Sequence, residues 1–77
     1  MFLNMIIKFS KTTKDPRDGE LTYWFTIKLE GYECTSIDVG FSKEGTWVSA
    51  SKTFFELEDT TRHDILAEVA EMLPKVV

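Results

Sequence analysis

The sequence predicts an α+β fold, a four-stranded antiparallel β-meander followed by one C-terminal α-helix packed on one face of the sheet (ββββα). Apolar and polar residues alternate over the first two thirds of the chain, and apolar residues recur at helical spacing near its end. We expect the 77 residues to form a single domain, near the size at which one core is only marginally sufficient. The predicted strands cover about residues 2–14, 20–30, 34–42 and 46–55, and the predicted helix about residues 61–73.

The first hairpin is predicted by a strong turn between two alternating segments. In the turn DPRDG, residues 15–19, proline presets φ and the final glycine accepts a positive φ. Pairing Asp15 with Gly19 brings the apolar residues of both strands onto one face, because residues directly opposite each other share a face. The resulting pairs are Phe9–Phe25, Ile7–Ile27 and Met5–Leu29.

The second turn fixes the register of the next pair of strands. A three-residue connection at residues 31–33 sets Ile27 opposite Ile37. A two-residue turn would set Ile27 opposite Ser36 and move the apolar residues to the wrong face. The pattern therefore favours the three-residue connection.

The third turn, at residues 42–45, allows two registers that place Trp47 on opposite faces of the sheet. A two-residue loop pairs Val48 with Val39 and leaves Trp47 on the face away from the core. A type I turn followed by a bulge at Gly45 sets Trp47 opposite Phe41, on the core face. The first register gives better hydrophobic pairing and the second better turn chemistry; we adopt the first.

The C-terminal helix is predicted from a capping box and an apolar stripe. Thr61 and Asp64 have the spacing of the box, in which each residue satisfies an unpaired backbone N–H. Pro74 disfavours helical geometry at Leu73, so the helix should end near Met72. The stripe consists of Ile65, Leu66, Val69, Met72 and Leu73.

Charge and cysteine content restrict the classes of function. The net charge of −4 is uneven, with +2 over residues 1–28 (five basic, three acidic) and −6 over residues 29–77 (four basic, ten acidic). This balance argues mildly against nucleic acid as the partner. A single cysteine, Cys34, excludes an internal disulfide and a cysteine-built zinc site. Because we find neither a signal sequence nor an apolar run long enough for a membrane helix, we expect a soluble cytoplasmic protein without a membrane partner.

The sequence offers no pattern typical of catalysis, so we expect neither enzymatic activity, nor a cofactor, nor a metal site. His63 is the only histidine and has no partner at a useful spacing. Cys34 lies next to Glu33, whose negative charge disfavours the reactive thiolate. The acidic stripe Asp64, Glu68 and Glu71 is typical of the solvated face of an amphipathic helix.

Two tryptophans suggest the most plausible binding surface. With the adopted registers, a row on the face away from the core contains Ser10, Trp24, Gly40 and Trp47. The indoles either cover the backbone of Gly40, as aromatic residues do for strand glycines, or form a platform for a base, a sugar or a side chain. The candidate binding residues are Trp24, Trp47, Gly40, Lys8, Thr26, Lys28 and Ser49.

These observations favour a small non-enzymatic binding protein, of accessory or inhibitor type, that acts through protein–protein contacts. The alternative is a single-stranded nucleic-acid-binding module that uses the same aromatic face. A homodimer is also expected, because one helix about 10 Å across cannot cover a four-stranded sheet about 19 Å wide. The dimer would form through the uncovered sheet face or through a strand edge.

Overall fold

The computed structural model describes residues 4–32 and 35–77 of the chain. The described elements are β1 Met5–Lys14, β2 Leu21–Leu29, β3 Ile37–Phe41, β4 Trp47–Ala50, α1 Lys52–Phe55 and α2 Asp59–Val76. The four strands form one antiparallel sheet in the order β1-β2-β3-β4, followed by the C-terminal helix packed against it. The predicted fold class is therefore confirmed, with the short helix α1 as an addition.

The hydrophobic core lies between one face of the sheet and the two helices. Every second residue of β2 and β3 points to this face. These residues pack against apolar residues that recur at helical spacing along α2. The buried residues are Phe25, Ile27, Leu29, Ile37, Val39 and Phe41 of the sheet, and Phe54, Leu57, Ile65, Val69 and Leu73 of the helical layer. We call the opposite side of the sheet, which carries no helix, the open face.

The first hairpin has the predicted register only as far as Phe9. Met5, Ile7 and Phe9 pair as predicted, and a bulge then shifts the register between Phe9 and Lys11. As a result Lys11, not Ser10, lies opposite Trp24, and the predicted pairing of Ser10 with Trp24 is wrong.

The turn beyond this bulge closes one residue later than predicted. The Asp15 N–H donates to the Glu20 carbonyl, and the Gly19 N–H donates to the Asp15 carbonyl. Gly19 adopts φ 74°, as the sequence predicts for a glycine at this position. The Arg17 side chain and backbone N–H both donate to the Asp15 carboxylate and lower its pKa.

The pairing of β2 with β3 has the predicted register. Ile27 lies opposite Ile37, Phe25 opposite Val39 and Trp24 opposite Gly40. The predictions for Glu33 and Cys34, and for the starts of the first and third strands at residues 2 and 34, lie outside the described residues.

The register adopted for the third turn is wrong. Trp47 lies opposite Phe41, as the bulge register predicts, and a further irregularity at Val48 then sets Ser49 opposite Gly40. Gly45 has φ 87° and its N–H donates to the Ser42 carbonyl, so the turn requires the left-handed conformation that glycine adopts readily. Turn chemistry outweighs the better hydrophobic pairing, and Trp47 is moved to the core face.

The fourth strand is shorter than the predicted 46–55. It ends at Ala50, and residues Lys52–Phe55 form helix α1. Neighbouring residues of a strand point to opposite faces, which would separate Phe54 from Phe55. In α1 both rings approach Trp47, with centroid distances of 5.4 and 5.9 Å.

Helix α2 extends beyond both ends of the predicted range 61–73. Its N-cap is Glu58, which makes no side-chain capping hydrogen bond, so the predicted capping box at Thr61 and Asp64 is wrong. Pro74 lies inside the last turn, and the Val77 N–H still donates to the Leu73 carbonyl. Proline costs little so near the C-terminus, where it removes only the N–H that would have reached the Ala70 carbonyl.

Candidate functional site

The open face keeps six of the seven predicted binding residues together. Lys8, Thr26 and Asp38 form one cross-strand row, and the next row contains Lys11, Trp24, Gly40 and Ser49. Lys28 lies in a third row, opposite Ile6 and on the other side of the Thr26 row from Trp24. The predicted row Ser10–Trp24–Gly40–Trp47 is replaced, because the two bulges exchange Ser10 for Lys11 and Trp47 for Ser49.

Trp24 is half-buried and covers the backbone of Gly40. A Cβ at position 40 would lie 3.2 Å from two atoms of the Trp24 ring and 2.8 Å from the Thr22 methyl group. The indole Nε1–H donates to the Thr13 hydroxyl at 2.8 Å. The glycine at position 40 therefore lets the indole lie against the sheet, and the glycine-covering interpretation is confirmed for this tryptophan.

A pocket of about 360 Å³ opens beside the Trp24 ring. Its lining includes Lys11, Thr13 and Ser51 together with Asp38. The Asp38 carboxylate accepts a hydrogen bond from the Thr26 hydroxyl at 2.8 Å. The pocket therefore combines an aromatic face, hydroxyl groups, one ammonium group and one carboxylate.

Three exposed lysines, Lys8, Lys11 and Lys28, lie on the open face, and Lys11 lines this pocket. Within residues 4–32 and 35–77, no ion pair involves any of the three. Their charge is therefore available to an anion.

Trp47 belongs to a different surface, at the free edge of β4. Its ring makes a perpendicular contact with Phe41 at 6.1 Å and also contacts the rings of Phe54 and Phe55. Trp47 nevertheless remains 37% exposed, while Val48 and Phe55 are 46% and 56% exposed. We call these three exposed residues, Trp47, Val48 and Phe55, the aromatic patch.

Arg62 holds the aromatic patch in place from helix α2. Its guanidinium donates to the Phe55 carbonyl at 3.0 Å and to the Leu57 carbonyl at 3.1 Å. The same guanidinium pairs with Asp59 in the first turn of the helix. These bonds connect the end of α1 to the start of α2, so Phe55 is displayed on a fixed backbone.

A second concavity adjoins the aromatic patch. This C-terminal groove, of about 500 Å³, lies between the third turn and the end of α2. Its lining is mainly apolar and begins at Phe41, the residue that contacts Trp47. The lining residues are Phe41, Lys43, Glu44, Gly45, Ala70, Leu73, Pro74 and Val77.

The groups considered for chemistry lie apart from both surfaces. His63 and the acidic stripe Asp64, Glu68 and Glu71 are exposed on α2. Over the described part of the chain, no group of three or more histidine, cysteine or carboxylate residues is arranged to hold a metal ion.

Sequence reasoning missed the aromatic patch, although two signals pointed to it. Gly45 suited the bulge that brings Trp47 to the core face. The adjacent pair Phe54–Phe55 does not alternate, which disfavours a strand. The role of Arg62 had no local signal, because it depends on the angle between two helices.

Comparison with protein-family models, with curated proteins and with solved structures gave no match to this chain. Among the helices of the described residues, none has the length and apolar character needed to cross a membrane.

Proposed function

We propose that this chain is a small non-enzymatic binding protein that acts through protein–protein contacts, with the aromatic patch as its binding surface. The observation that carries this proposal is the exposure of two aromatic residues in contact with each other, Trp47 and Phe55, beside the exposed Val48 of β4. Large apolar groups that remain exposed together are typical of interaction sites, and aromatic side chains supply much of the energy of protein interfaces.

Two structural features support the proposal. The hydrogen bonds from Arg62 hold Phe55 in place before any partner arrives, which lowers the entropy cost of binding. The aromatic rings contact one another at 5.4–6.1 Å, so the surface does not have to be assembled on binding. Reducing conditions in the cytoplasm form part of the proposal, because the chain has a single cysteine.

We expect Phe55→Ser to weaken the binding of a partner roughly thirtyfold, the effect of removing a central aromatic residue. Partners co-purified with the wild-type chain from its source cells would be identified by mass spectrometry, purified, and titrated by calorimetry. Ile6→Ser is the matched control, since Ile6 is equally exposed (58%) but lies on the open face. Equal affinities for wild type and Phe55→Ser would remove the patch from the proposal.

The open face supports a second candidate function, the binding of single-stranded nucleic acid. The specific observation is that Lys11 lines the pocket beside the Trp24 ring, with Lys8 and Lys28 on the same face, and that the described residues form no ion pair with any of the three. The bulge that places Lys11 opposite Trp24 adds a basic group that the predicted register lacked. Aromatic faces stack bases without sequence preference, and lysines neutralise the phosphates.

If this second function holds, the affinity for a fluorescent single-stranded oligonucleotide should fall steeply with salt. Three phosphate contacts predict a slope of log K against log salt concentration of about −2, and Lys11→Gln should reduce that slope by about 0.7. Lys75→Gln, in the last turn of α2, is the control and should leave the slope unchanged. Fluorescence anisotropy that stays constant at low salt would eliminate nucleic acid as a ligand of the open face.

A further inference from the structure

We infer that the partner seated on the aromatic patch is a second copy of this chain, in a two-fold symmetric dimer in which Phe55 of each copy enters the C-terminal groove of the other. The inference rests on the proposed function, because it names the occupant of the same surface.

Trp47 contacts both an exposed aromatic ring and a residue that lines the C-terminal groove. Phe55, with more than half of its surface exposed, lies 5.9 Å from the Trp47 ring. Trp47 also lies 6.1 Å from Phe41, which lines the groove. A two-fold axis beside Trp47 would therefore bring each Phe55 to the groove of the other copy, since a two-fold interface pairs one surface with itself.

The charges along this edge suit a second copy. Lys52 and Glu56 flank Phe55, while Lys43 and Glu44 lie at the groove, and all four are exposed. These two basic and two acidic residues together carry no net charge, although the whole chain carries −4. Two copies that meet here can therefore place opposite charges together at the rim of the interface. A dimer formed through α2 would instead bring together two surfaces with an excess of negative charge.

The apolar area is sufficient for the centre of such an interface. Trp47, Val48, Phe55 and Val77 are between 37% and 56% exposed. Together they expose roughly 300–500 Å², if about 150–250 Å² is taken for each fully exposed side chain. A stable interface needs about 800 Å² from each partner, of which the apolar centre is only a part, with a polar rim around it.

The two free edges of the sheet differ in how they are protected. The ten residues of β1 include Lys8, Lys11 and Lys14, and lysines on an edge strand discourage pairing with another chain. The four residues of β4 have the sequence WVSA and carry no charge. The edge that holds the aromatic patch is therefore the one open to a second copy.

The test begins with the mass of the wild-type chain, measured by light scattering at tens of micromolar. A dimer has a mass of 17.8 kDa, twice the 8.9 kDa of one chain. Phe55→Glu removes the protruding ring, and Ala70→Arg obstructs the groove from an exposed helical position. Each variant should be monomeric, because each change occurs twice in the interface and two thirtyfold losses combine to about a thousandfold.

Mixing the two variants gives a sharper result. In the mixed dimer, Phe55 of the Ala70→Arg chain meets the open groove of the Phe55→Glu chain. In the other half of the interface, the introduced carboxylate faces the introduced guanidinium, which favours the mixed pair. We therefore expect two monomeric variants to form a dimer when combined, with the circular dichroism spectrum of each unchanged.

Ile6→Glu is the control, since Ile6 is an exposed apolar residue of β1, the strand at the opposite edge of the sheet, and this variant should remain dimeric. A monomeric wild type, or a dimer dissociated by Ile6→Glu and not by Phe55→Glu, overturns the inference. Failure of the mixed variants to associate overturns it as well. A separate result would contradict the proposed function, namely that Phe55→Ser lowers the affinity of the chain for none of its binding partners.

Discussion

Phe25→Ala should lower the free energy of unfolding by about 3–5 kcal/mol, enough to unfold most of a chain of this size. Phe25 is fully buried, lies opposite Val39 in β3, and makes an edge-to-face contact with Phe9 at 5.7 Å. Its removal leaves a cavity between the two longest strands and the helical layer. Urea denaturation followed by far-ultraviolet circular dichroism measures the loss.

Two further variants keep this prediction testable even if Phe25→Ala does not fold. Phe25→Leu retains much of the volume and should cost about 1–2 kcal/mol. Thr26→Ala, on the opposite face, removes one half-buried hydrogen bond to Asp38 and should cost about 1 kcal/mol. A larger loss for Thr26→Ala than for Phe25→Ala would show that the two faces of β2 are assigned the wrong way round.

The parts of the fold that the sequence predicted are those where two independent constraints agree. In β2 and β3, alternation on both strands allowed only one register, since a shift by one residue would have exposed every apolar side chain. The pairs Ile27–Ile37 and Trp24–Gly40 follow from this constraint alone. Strong patterning therefore decided the centre of the sheet, where burial is highest.

The errors lie at the edges of the sheet, where burial constrains the chain less. The bulge after Phe9 leaves no pattern in the sequence, because the β1 residues beyond it are all exposed and tolerate either register. At the third turn, hydrophobic pairing and turn chemistry favoured different registers, and turn chemistry decided the outcome. The turn places Gly45 at φ 87°, where any other residue is strained. Half-exposed apolar pairs lose little burial when the register shifts.

The candidate site was only partly predictable for the same reason. The residues of the open face followed from the register of β2 and β3, so Trp24, Thr26 and Lys28 were placed correctly. The aromatic patch depends on the third turn, on the conversion of residues 52–55 to a helix, and on hydrogen bonds from Arg62. An error in the first of these sent Trp47 to the wrong face.

Trp47→Ala should lower the free energy of unfolding by about 2–3 kcal/mol, well above the cost of Trp24→Ala. The Trp47 ring contacts Phe41, Phe54 and Phe55, and each aromatic pair contributes about 0.5–1.5 kcal/mol beyond the apolar area it buries. Partial exposure keeps the total below that of a fully buried tryptophan. The Trp24 ring instead covers Gly40 and donates one hydrogen bond to Thr13, so its removal should cost about 1 kcal/mol.

The same pair of variants separates folding from assembly. Each retains one tryptophan, so urea denaturation can be followed by fluorescence at protein concentrations a hundredfold apart. The stability of a dimer rises with protein concentration, whereas that of a monomer does not. Trp24→Ala should keep this dependence and Trp47→Ala should lose it, because only Trp47 lies at the proposed two-fold axis. Equal losses for the two variants, or a larger loss for Trp24→Ala, would return Trp47 to the open face and remove the basis of the aromatic patch.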